Sequence, residues 1–287
     1  MTGGEGFIGR HLRDILIREG HSVTTMDIAG DPDLRISVTD FHALMGIDGH
    51  FDGIFHLAGV TSPPQFEDDP LWGFQVNANG TLNVMEFARR KGIRRVVFAS
   101  SSATYGDLHE RAEEHVLPER YTNMYPITKV TGEHLARCYS ARGEVECISL
   151  RYFNTFGPGE NSKGAYASPI ARFVESAKRS DPIIVYGDGT QSRDFIYVKD
   201  TARATLLAFL HGKPGESYNI GTGITTKFNE IARIVIELTG SRSEIVHVPN
   251  PLKTYQMFTL ADITKTGRDL HFKPEYDLRR AIAEMIA

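Results

Sequence analysis

The chain has 287 residues, of which 41% are hydrophobic and 24% are charged, and its net charge at pH 7 is −4. This composition is typical of one large or two modest globular domains with an apolar core. The mildly acidic balance and the lack of a dense basic run argue against nucleic acid as a partner. No apolar stretch approaches the roughly 20 residues of a membrane span, and no signal peptide precedes the first glycines, so we expect no membrane association and a cytoplasmic location.

The chain contains two cysteines, Cys138 and Cys147, which are too few for a disulfide framework or a zinc site. We expect both to act as small apolar filling residues in a reducing compartment. The histidines are scattered without metal-ligand spacing, so no metal is predicted. His56 is expected to pack at the end of a strand.

Three glycines, Gly3, Gly6 and Gly9, open the chain in the spacing Gly-x-x-Gly-x-x-Gly. Glycines permit a tight turn and let a pyrophosphate approach the backbone, while the N-terminus of a following helix offers free N–H groups and a positive dipole end. Apolar residues then recur at helical spacing over residues 8–16, and Gly20 is a suitable residue to end that helix. The pattern predicts a dinucleotide-phosphate loop.

A short apolar strand over residues 23–26 ends in Asp27. An acidic residue about 20 positions after such a loop suits the ribose hydroxyls of NAD and repels the 2′-phosphate of NADP. The alternative is a glycine-rich turn followed by an incidental aspartate. Loop, helix, strand and acid in this order favour the NAD site.

A loop of this kind normally follows a buried strand that is central in the sheet, yet only Met1 and Thr2 precede Gly3. We therefore expect the first strand to be missing from the chain. A shortened chain, or a start codon assigned too far downstream, would produce this pattern, and we expect it to weaken cofactor binding. An in-frame stop codon immediately before Met1 would contradict a misassigned start.

After Asp27 the pattern alternates between short apolar runs and amphipathic helices. Such alternation predicts an α/β fold of the Rossmann type, a doubly wound parallel sheet with helices on both faces. Ligands bind at the carboxyl ends of the strands in this fold, where Ala58, Ser101 and Asn154 fall. The predicted strands are 34–38, 53–59, 96–99 and 145–150, and the predicted helices are 40–45, 71–91 and 121–142.

From residue 156 onward the alternation loosens, and prolines and glycines mark loops. This predicts a smaller, split substrate lobe above the cleft. The predicted division is an NAD-binding Rossmann domain of residues 1–155, to which 195–220 return, and a substrate-binding lobe of residues 156–194 and 221–287. The predicted elements here are strands 183–186, 195–198 and 218–221, with helices 170–179, 201–211, 228–239 and 278–286.

A hydroxyl cluster at the end of an apolar run precedes a Tyr-x-x-x-Lys pair, Tyr125 and Lys129. On a helix these two side chains share a face, and both would point into the cleft that Ser101 borders. A nearby ammonium favours the phenolate and would lower the pKa of Tyr125, which is ordinarily about 10. The trio can take a proton from a sugar hydroxyl while a hydride leaves the adjacent carbon.

Taken together, these segments resemble the extended short-chain dehydrogenase/reductase family, in its NAD-dependent nucleotide-sugar epimerase/dehydratase branch. The resemblance covers nearly the whole chain. Its motifs are the loop 2–9, His-x-Ala at 56–58, Asn-x-x-Gly-Thr at 77–81, the serine strand 100–106, Leu-Arg-Tyr-Phe-Asn at 150–154 and the segment 187–200.

The resemblance implies NAD as the cofactor, a nucleotide sugar as the substrate, and a homodimer formed through the helices that begin near Leu71 and Tyr121. It assigns catalysis to Ser101, Tyr125 and Lys129. The implied cofactor-binding residues are Gly3, Gly6, Phe7, Ile8, Gly9, Asp27, Val38, Leu57, Ala58, Asn77, Tyr125 and Lys129. The implied substrate-binding residues are Ser101, Asn154, Lys163, Ser168, Tyr186 and Arg193.

Within that set, Asn154 and Arg193 would hold the diphosphate and Tyr186 would lie against the base. Two positions depart from the family pattern. Ser37 stands where an acid usually meets adenine, and the late phosphate-binding arginine is missing or replaced by Lys253.

Members of this branch share an opening step in which NAD takes a hydride from the sugar and the tyrosine takes a proton. Dehydratases place an Asp-Glu pair directly after the catalytic hydroxyl, and here Ser102 and Ala103 occupy those positions. A reductase usually exchanges NADPH, which Asp27 disfavours. The predicted activity is therefore epimerisation through a keto intermediate, of the UDP-glucose/UDP-galactose 4-epimerase type.

Two alternatives stay open. Residues 255–262 and 163–168 resemble segments of ADP-heptose 6-epimerases, in which Lys163 would be a second base; unchanged turnover in Lys163→Met would exclude that role. A non-catalytic NAD-sensing regulator is less favoured, because such proteins tend to lose the Tyr-Lys pair that this chain keeps.

Overall fold

A computed structural model of the chain describes residues 1–61, 66, 68–160, 164, 167–251 and 255–287. Lys163 and Lys253 lie outside the described residues, so their proposed roles stay predictions. No helix within the described ranges is both long and apolar enough to cross a membrane. Cys147 is buried as expected, whereas Cys138 is exposed, so its predicted filling role is wrong.

The helices and strands follow the α/β alternation that the sequence predicts. The strands are β1 Met26–Asp27, β2 Leu34–Arg35, β3 Gly53–His56, β4 Arg95–Ser101, β5 Glu146–Tyr152, β6 Asn154–Phe156, β7 Ile183–Tyr186, β8 Ser192–Arg193, β9 Phe195–Tyr197, β10 Ser217–Ile220, β11 Thr226–Lys227 and β12 Ile245–Val248. The α-helices are α1 Phe7–Arg18, α2 Phe41–Met45, α3 Pro70–Phe74, α4 Gly80–Lys91, α5 Met124–Ala141, α6 Pro169–Arg179, α7 Val198–His211, α8 Phe228–Thr239, α9 Thr264–Leu270 and α10 Leu278–Ile286.

The central sheet is parallel and confirms the predicted Rossmann-type fold. Strands β3, β4, β5 and β10 pair side by side, and β1 pairs with β2. Thr2 joins these two groups, because it bridges Met26 on one side and His56 on the other. A single residue thus stands at the centre of the sheet, and an apolar cavity of about 50 Å³ lies beside it, lined by Met26 and Ile54 among others.

Apolar side chains cover both faces of this sheet. One core joins α1 and α7 to the sheet, with Leu12, Ile148 and Tyr218 fully buried. The other packs α4 and α5 on the opposite face, around Met85 and Val96. Burying both faces explains why the strands read as continuous apolar runs rather than alternating ones.

The predicted helix 71–91 is wrong in one respect. It is divided into α3, a π-helical turn Gln75–Asn79 and α4. Single π-helical turns inside α-helices often occur at functional sites. Asn77 lies in this turn, and its side chain forms hydrogen bonds with both the N–H and the C=O of Val60.

The C-terminal part forms a third core outside the main sheet. It is built from α6, α8 and α10 around the parallel pair β7–β12 and includes Ile170, Phe228 and Ile282. The pair β6–β9 and the antiparallel pair β8–β11 connect this lobe to the strand ends of the main sheet. The sequence did not predict β6, β8, β11, β12 or α9, because these elements have few residues and no clear periodicity. The exact division into two domains stays a prediction.

Candidate active site

A cleft of about 610 Å³ opens at the carboxyl ends of the central strands. It is bordered by the glycine loop, the ends of β1, β3 and β4, and helix α5. This is the edge at which ligands bind in open parallel sheets. Among the predicted site residues, the cleft is lined by Gly3, Gly6, Phe7, Ile8, Gly9, Asp27, Val38, Leu57, Ala58, Ser101, Tyr125 and Lys129.

Two glycines, one in the loop before α1 and one in the first turn of α1, leave no room for side chains. Gly3 has a φ of 67°, and a Cβ there would lie 2.6 Å from the backbone nitrogen of Ala58. A Cβ on Gly9 would lie 2.3 Å from the carbonyl oxygen of Gly3. Only glycine fits such close backbone approaches. The loop therefore presses against the end of β3 and directs the N-terminus of α1 toward the cleft.

Asp27 organises the far side of the same loop. Its carboxylate accepts hydrogen bonds from the backbone N–H of Glu5 at 3.0 Å and of Ile28 at 2.7 Å. It also lines the cleft, which is the position required of a carboxylate that binds ribose hydroxyls. The loop, the following helix dipole and this acid fit a dinucleotide such as NAD.

Asn77 does not line the cleft but lies one layer behind it. In addition to Val60, its amide donates to the Thr128 hydroxyl at 3.2 Å, which ties α5 to the π-helical turn. Asn77 thus holds the Val60 backbone, which borders the cleft, and its contribution to the cofactor site stays a prediction.

His56 is fully buried in a chain of hydrogen bonds beneath the loop. Its ring nitrogens contact the hydroxyls of Thr2 at 2.7 Å and Thr81 at 3.0 Å, and Thr81 donates to the carbonyl of Asn77. Burial, with the charge of Lys129 adding to it, lowers the pKa of His56 to about 3. The ring is neutral at physiological pH, and its role is structural.

Ser101, Tyr125 and Lys129 meet on the floor of the cleft. The Ser101 hydroxyl lies close enough to the Tyr125 phenol to oppose the rise in its pKa. The ammonium group of Lys129 lies 5.9 Å from the centre of the Tyr125 ring and donates to the carbonyl of Ala99 at 2.8 Å. The side chain of Asn123 caps the helix at the N–H of Tyr125, so α5 begins with its catalytic face already aligned.

The pKa values correct one expectation from the sequence. Burial raises the pKa of Tyr125 above 10, and only the Ser101 hydrogen bond opposes this. Burial lowers the pKa of Lys129 to about 8, against the charge of Glu133. The expected lowering of the Tyr125 pKa by Lys129 is absent, because Lys129 turns to Ala99 and desolvation of the phenol dominates.

A buried ion pair behind the catalytic trio was missed by the sequence interpretation. Glu133 lies one helical turn beyond Lys129, and its carboxylate accepts from Ser100 Oγ at 2.6 Å and from Arg151 at 2.7 and 2.8 Å. Burial alone would raise the pKa of Glu133, but Arg151 and Ser100 hold it below its usual value. The pair ties α5 to the ends of β4 and β5, which carry the site.

Of the predicted substrate residues that the structure describes, Ser101 lines the cleft, whereas Asn154, Ser168, Tyr186 and Arg193 do not. The amide of Asn154 donates to the carbonyl of Asp194 and to the Thr259 hydroxyl, each at 2.9 Å. Ser168 caps α6 by accepting from Ala171 N–H, and it donates to Glu160. Both side chains thus already have protein partners, and their substrate roles stay predictions.

Comparison with known proteins agrees with this geometry. Residues 1–221 match the model of the NAD dependent epimerase/dehydratase family. A UDP-N-acetyl-alpha-D-glucosaminuronate decarboxylase of Bacillus cytotoxicus is 32% identical, with 100% of this chain and 95% of the relative covered. A putative UDP-glucose 4-epimerase of Methanocaldococcus jannaschii is 31% identical, with 100% of this chain and 96% of the relative covered.

A crystal structure of UDP-glucose 4-epimerase from Thermotoga maritima with UDP-glucose superimposes with a TM-score of 0.92 at 28% identity. It covers 99% of this chain and 96% of that one. The family's dependence on NAD matches a cleft whose glycine loop and Asp27 fit that cofactor. The chain belongs to the NAD-dependent epimerase/dehydratase family of enzymes.

Proposed function

We propose that the chain interconverts UDP-glucose and UDP-galactose by epimerisation at C4. The observation that carries the proposal is the buried trio of Ser101, Tyr125 and Lys129 at the floor of a dinucleotide cleft. The similarity to UDP-glucose 4-epimerases over the whole chain supports the choice of substrate.

The chain's own groups perform the acid–base part of this reaction. Bound NAD supplies a hydride acceptor at C4 that later returns the hydride. Tyr125 takes the proton of the 4-hydroxyl and gives it back when the hydroxyl re-forms on the other face. Ser101 hydrogen-bonds the same oxygen and holds it beside the phenol. The ammonium of Lys129 is proposed to stabilise the phenolate when it leaves the carbonyl of Ala99 and turns to the phenol.

In the lobe, we propose that Arg193 binds the diphosphate, assisted by Asn154, and that Tyr186 lies against the base. Ser168 and Lys163 are proposed to border the sugar. Rotation of the keto sugar between two hydride transfers requires the nucleotide to stay bound while the sugar turns. Binding through the diphosphate and base meets this requirement, because neither group takes part in the chemistry.

Decarboxylation of a UDP-uronic acid is a second candidate, favoured by the 32% identity to the Bacillus enzyme. Oxidation at C4 would place a ketone β to the carboxylate at C5, from which carbon dioxide leaves readily. The same trio would serve that oxidation. Dehydration is disfavoured, because Ser102 and Ala103 follow Ser101 and offer no carboxyl group to expel water.

The proposal is tested by incubating the protein with NAD and UDP-galactose and following the sugar by NMR. We expect UDP-glucose to form until both epimers reach equilibrium. Absence of conversion, with NAD binding verified by calorimetry, would contradict the proposal. A parallel incubation with UDP-glucuronic acid gives a UDP-pentose only if the decarboxylase candidate is correct.

We also propose that the enzyme is a homodimer. Helices α4 and α5 pack against each other and expose large apolar side chains, among them Leu82, Met124 and Ile127 at 40–52% exposure. Large apolar side chains exposed on neighbouring helices are typical of protein–protein interfaces. The cytoplasmic location stays a prediction from the sequence.

Replacing the exposed apolar residues of this surface with glutamate should dissociate the dimer. We expect Leu82→Glu combined with Ile127→Glu to reduce the mass measured by light scattering from twice the 32.0 kDa of one chain to that of one chain. Leu210→Glu, at a position 50% exposed on α7, is the matched control and should leave the mass unchanged. A monomeric mass for the unaltered protein would refute the proposal.

A further inference from the structure

Two arginines of the substrate lobe carry buried nitrogen atoms that the protein does not satisfy. The Nε atoms of Arg172 and Arg193 are buried, and neither has a hydrogen-bond partner among the described residues. A buried donor without an acceptor is destabilising, so such a donor usually serves a ligand or an ordered water. We therefore expect both Nε atoms to donate a hydrogen bond to a ligand of this lobe.

Arg193 is fixed in place by its neighbours. One terminal nitrogen donates to the carbonyl of Gln256 at 2.8 Å, and the guanidinium lies 4.9 Å from the centre of the Tyr255 ring. The ring of Phe228 lies 5.4 Å from the same group. This fixed cation suits the diphosphate, as already proposed, and leaves the role of Arg172 to be explained.

Arg172 is the fourth residue of α6, and its guanidinium lies 5.7 Å from the centre of the Tyr186 ring. The carbonyl of Tyr186 accepts from Gln191, and the same Gln191 nitrogen donates to the Tyr255 hydroxyl at 3.2 Å. Through these bonds the surroundings of both arginines form one continuous wall. A nucleoside diphosphate lying along this wall would meet Arg193 with its phosphates and Arg172 with its base.

A planar guanidinium beside an aromatic ring suits a planar ligand that offers acceptors at its edge. Uracil presents two carbonyl oxygens, whereas the corresponding edge of adenine includes an amino group, which is itself a donor. We propose that Arg172 recognises the nucleobase, donating a hydrogen bond to a carbonyl oxygen of a uracil that lies against Tyr186. This inference rests on the proposed function, since it names the base of the same substrate.

The test measures ligand binding by calorimetry on the protein saturated with NAD, so that ADP does not occupy the cofactor cleft. UDP, ADP and inorganic pyrophosphate are titrated into the unaltered protein, Arg172→Gln and Arg172→Lys. Arg179→Gln is the matched control, because Arg179 lies on the same helix and is exposed beside Asp181. Thermal melting confirms that each variant is folded.

We expect the unaltered protein to bind UDP at least about tenfold more tightly than ADP, the effect of one good hydrogen bond to a charged donor. Both Arg172 variants should lose about tenfold in UDP affinity and keep their pyrophosphate affinity, while the control keeps both. Arg172→Lys is not expected to restore the affinity for UDP, because lysine lacks the planar guanidinium group.

Two results would overturn the inference while leaving the proposed function intact. One is unchanged UDP affinity in Arg172→Gln. The other is an equal loss for UDP and pyrophosphate, which would place Arg172 on the phosphates. Failure of the unaltered protein to bind UDP would instead overturn the proposed function, and the assignment of uracil with it.

Discussion

Replacing Tyr125 with phenylalanine is expected to lower kcat about 10²- to 10⁴-fold, the range of general acid–base catalysis. The variant removes one oxygen atom, the phenolic group that lies beside Ser101 in the cleft. NAD affinity should change little, since the ring, which is only 6% exposed, is retained. Initial rates with UDP-galactose and calorimetry with NAD measure the two effects separately.

The control is Tyr139→Phe, on the same helix but directed to the surface pair around Glu86. It loses a phenol of the same kind away from the cleft and should keep its kcat. If Tyr125→Phe kept more than about a tenth of the activity, another group would have to move the proton.

Replacing Glu133 with glutamine is expected to lower the free energy of unfolding by about 3–5 kcal/mol, because Arg151 would remain buried without its counter-charge. Neither side chain has any exposed surface. A loss of this size is a large part of the roughly 5–15 kcal/mol that stabilises a typical domain. Urea unfolding of the variant and the unaltered protein measures the difference.

Two further variants distinguish the effect of leaving Arg151 buried without its counter-charge from a loss of stability that any substitution could cause. Glu86→Gln breaks a pair with Arg89 and Arg90 at the surface and should cost less than about 1 kcal/mol. Glu133→Met combined with Arg151→Met removes both charges and should recover most of the lost stability. Equal losses in the single and double variants would show that the charge pair is not the cause.

The sequence was sufficient to predict many of the residues that line the cleft, because their chemistry is local. The spacing of the glycines at 3, 6 and 9 and of the aspartate at 27 predicts a phosphate-binding loop and a carboxylate for the ribose hydroxyls. Tyr125 and Lys129 share a helix face by the same kind of short-range rule. All of these residues line the cleft in the structure.

Features that depend on contacts between distant residues were not predictable. Glu133 and Arg151 are 18 positions apart, and their pairing requires α5 to pack on β5. The bonds of Asn77 to Val60 place it behind the cleft lining, which the sequence did not reveal, and its cofactor role stays a prediction. The raised pKa of Tyr125 follows from burial, which a helical spacing does not reveal.

The central claim is that the hydride leaves C4 of the sugar and returns to the same carbon. UDP-galactose carrying deuterium at C4 tests it most directly, with the reaction run in ordinary water and the UDP-glucose product examined by NMR. The account predicts that the product keeps its deuterium at C4. Product with ordinary hydrogen at C4 would contradict it, because the deuterium would then have been lost to solvent and not transferred as a hydride.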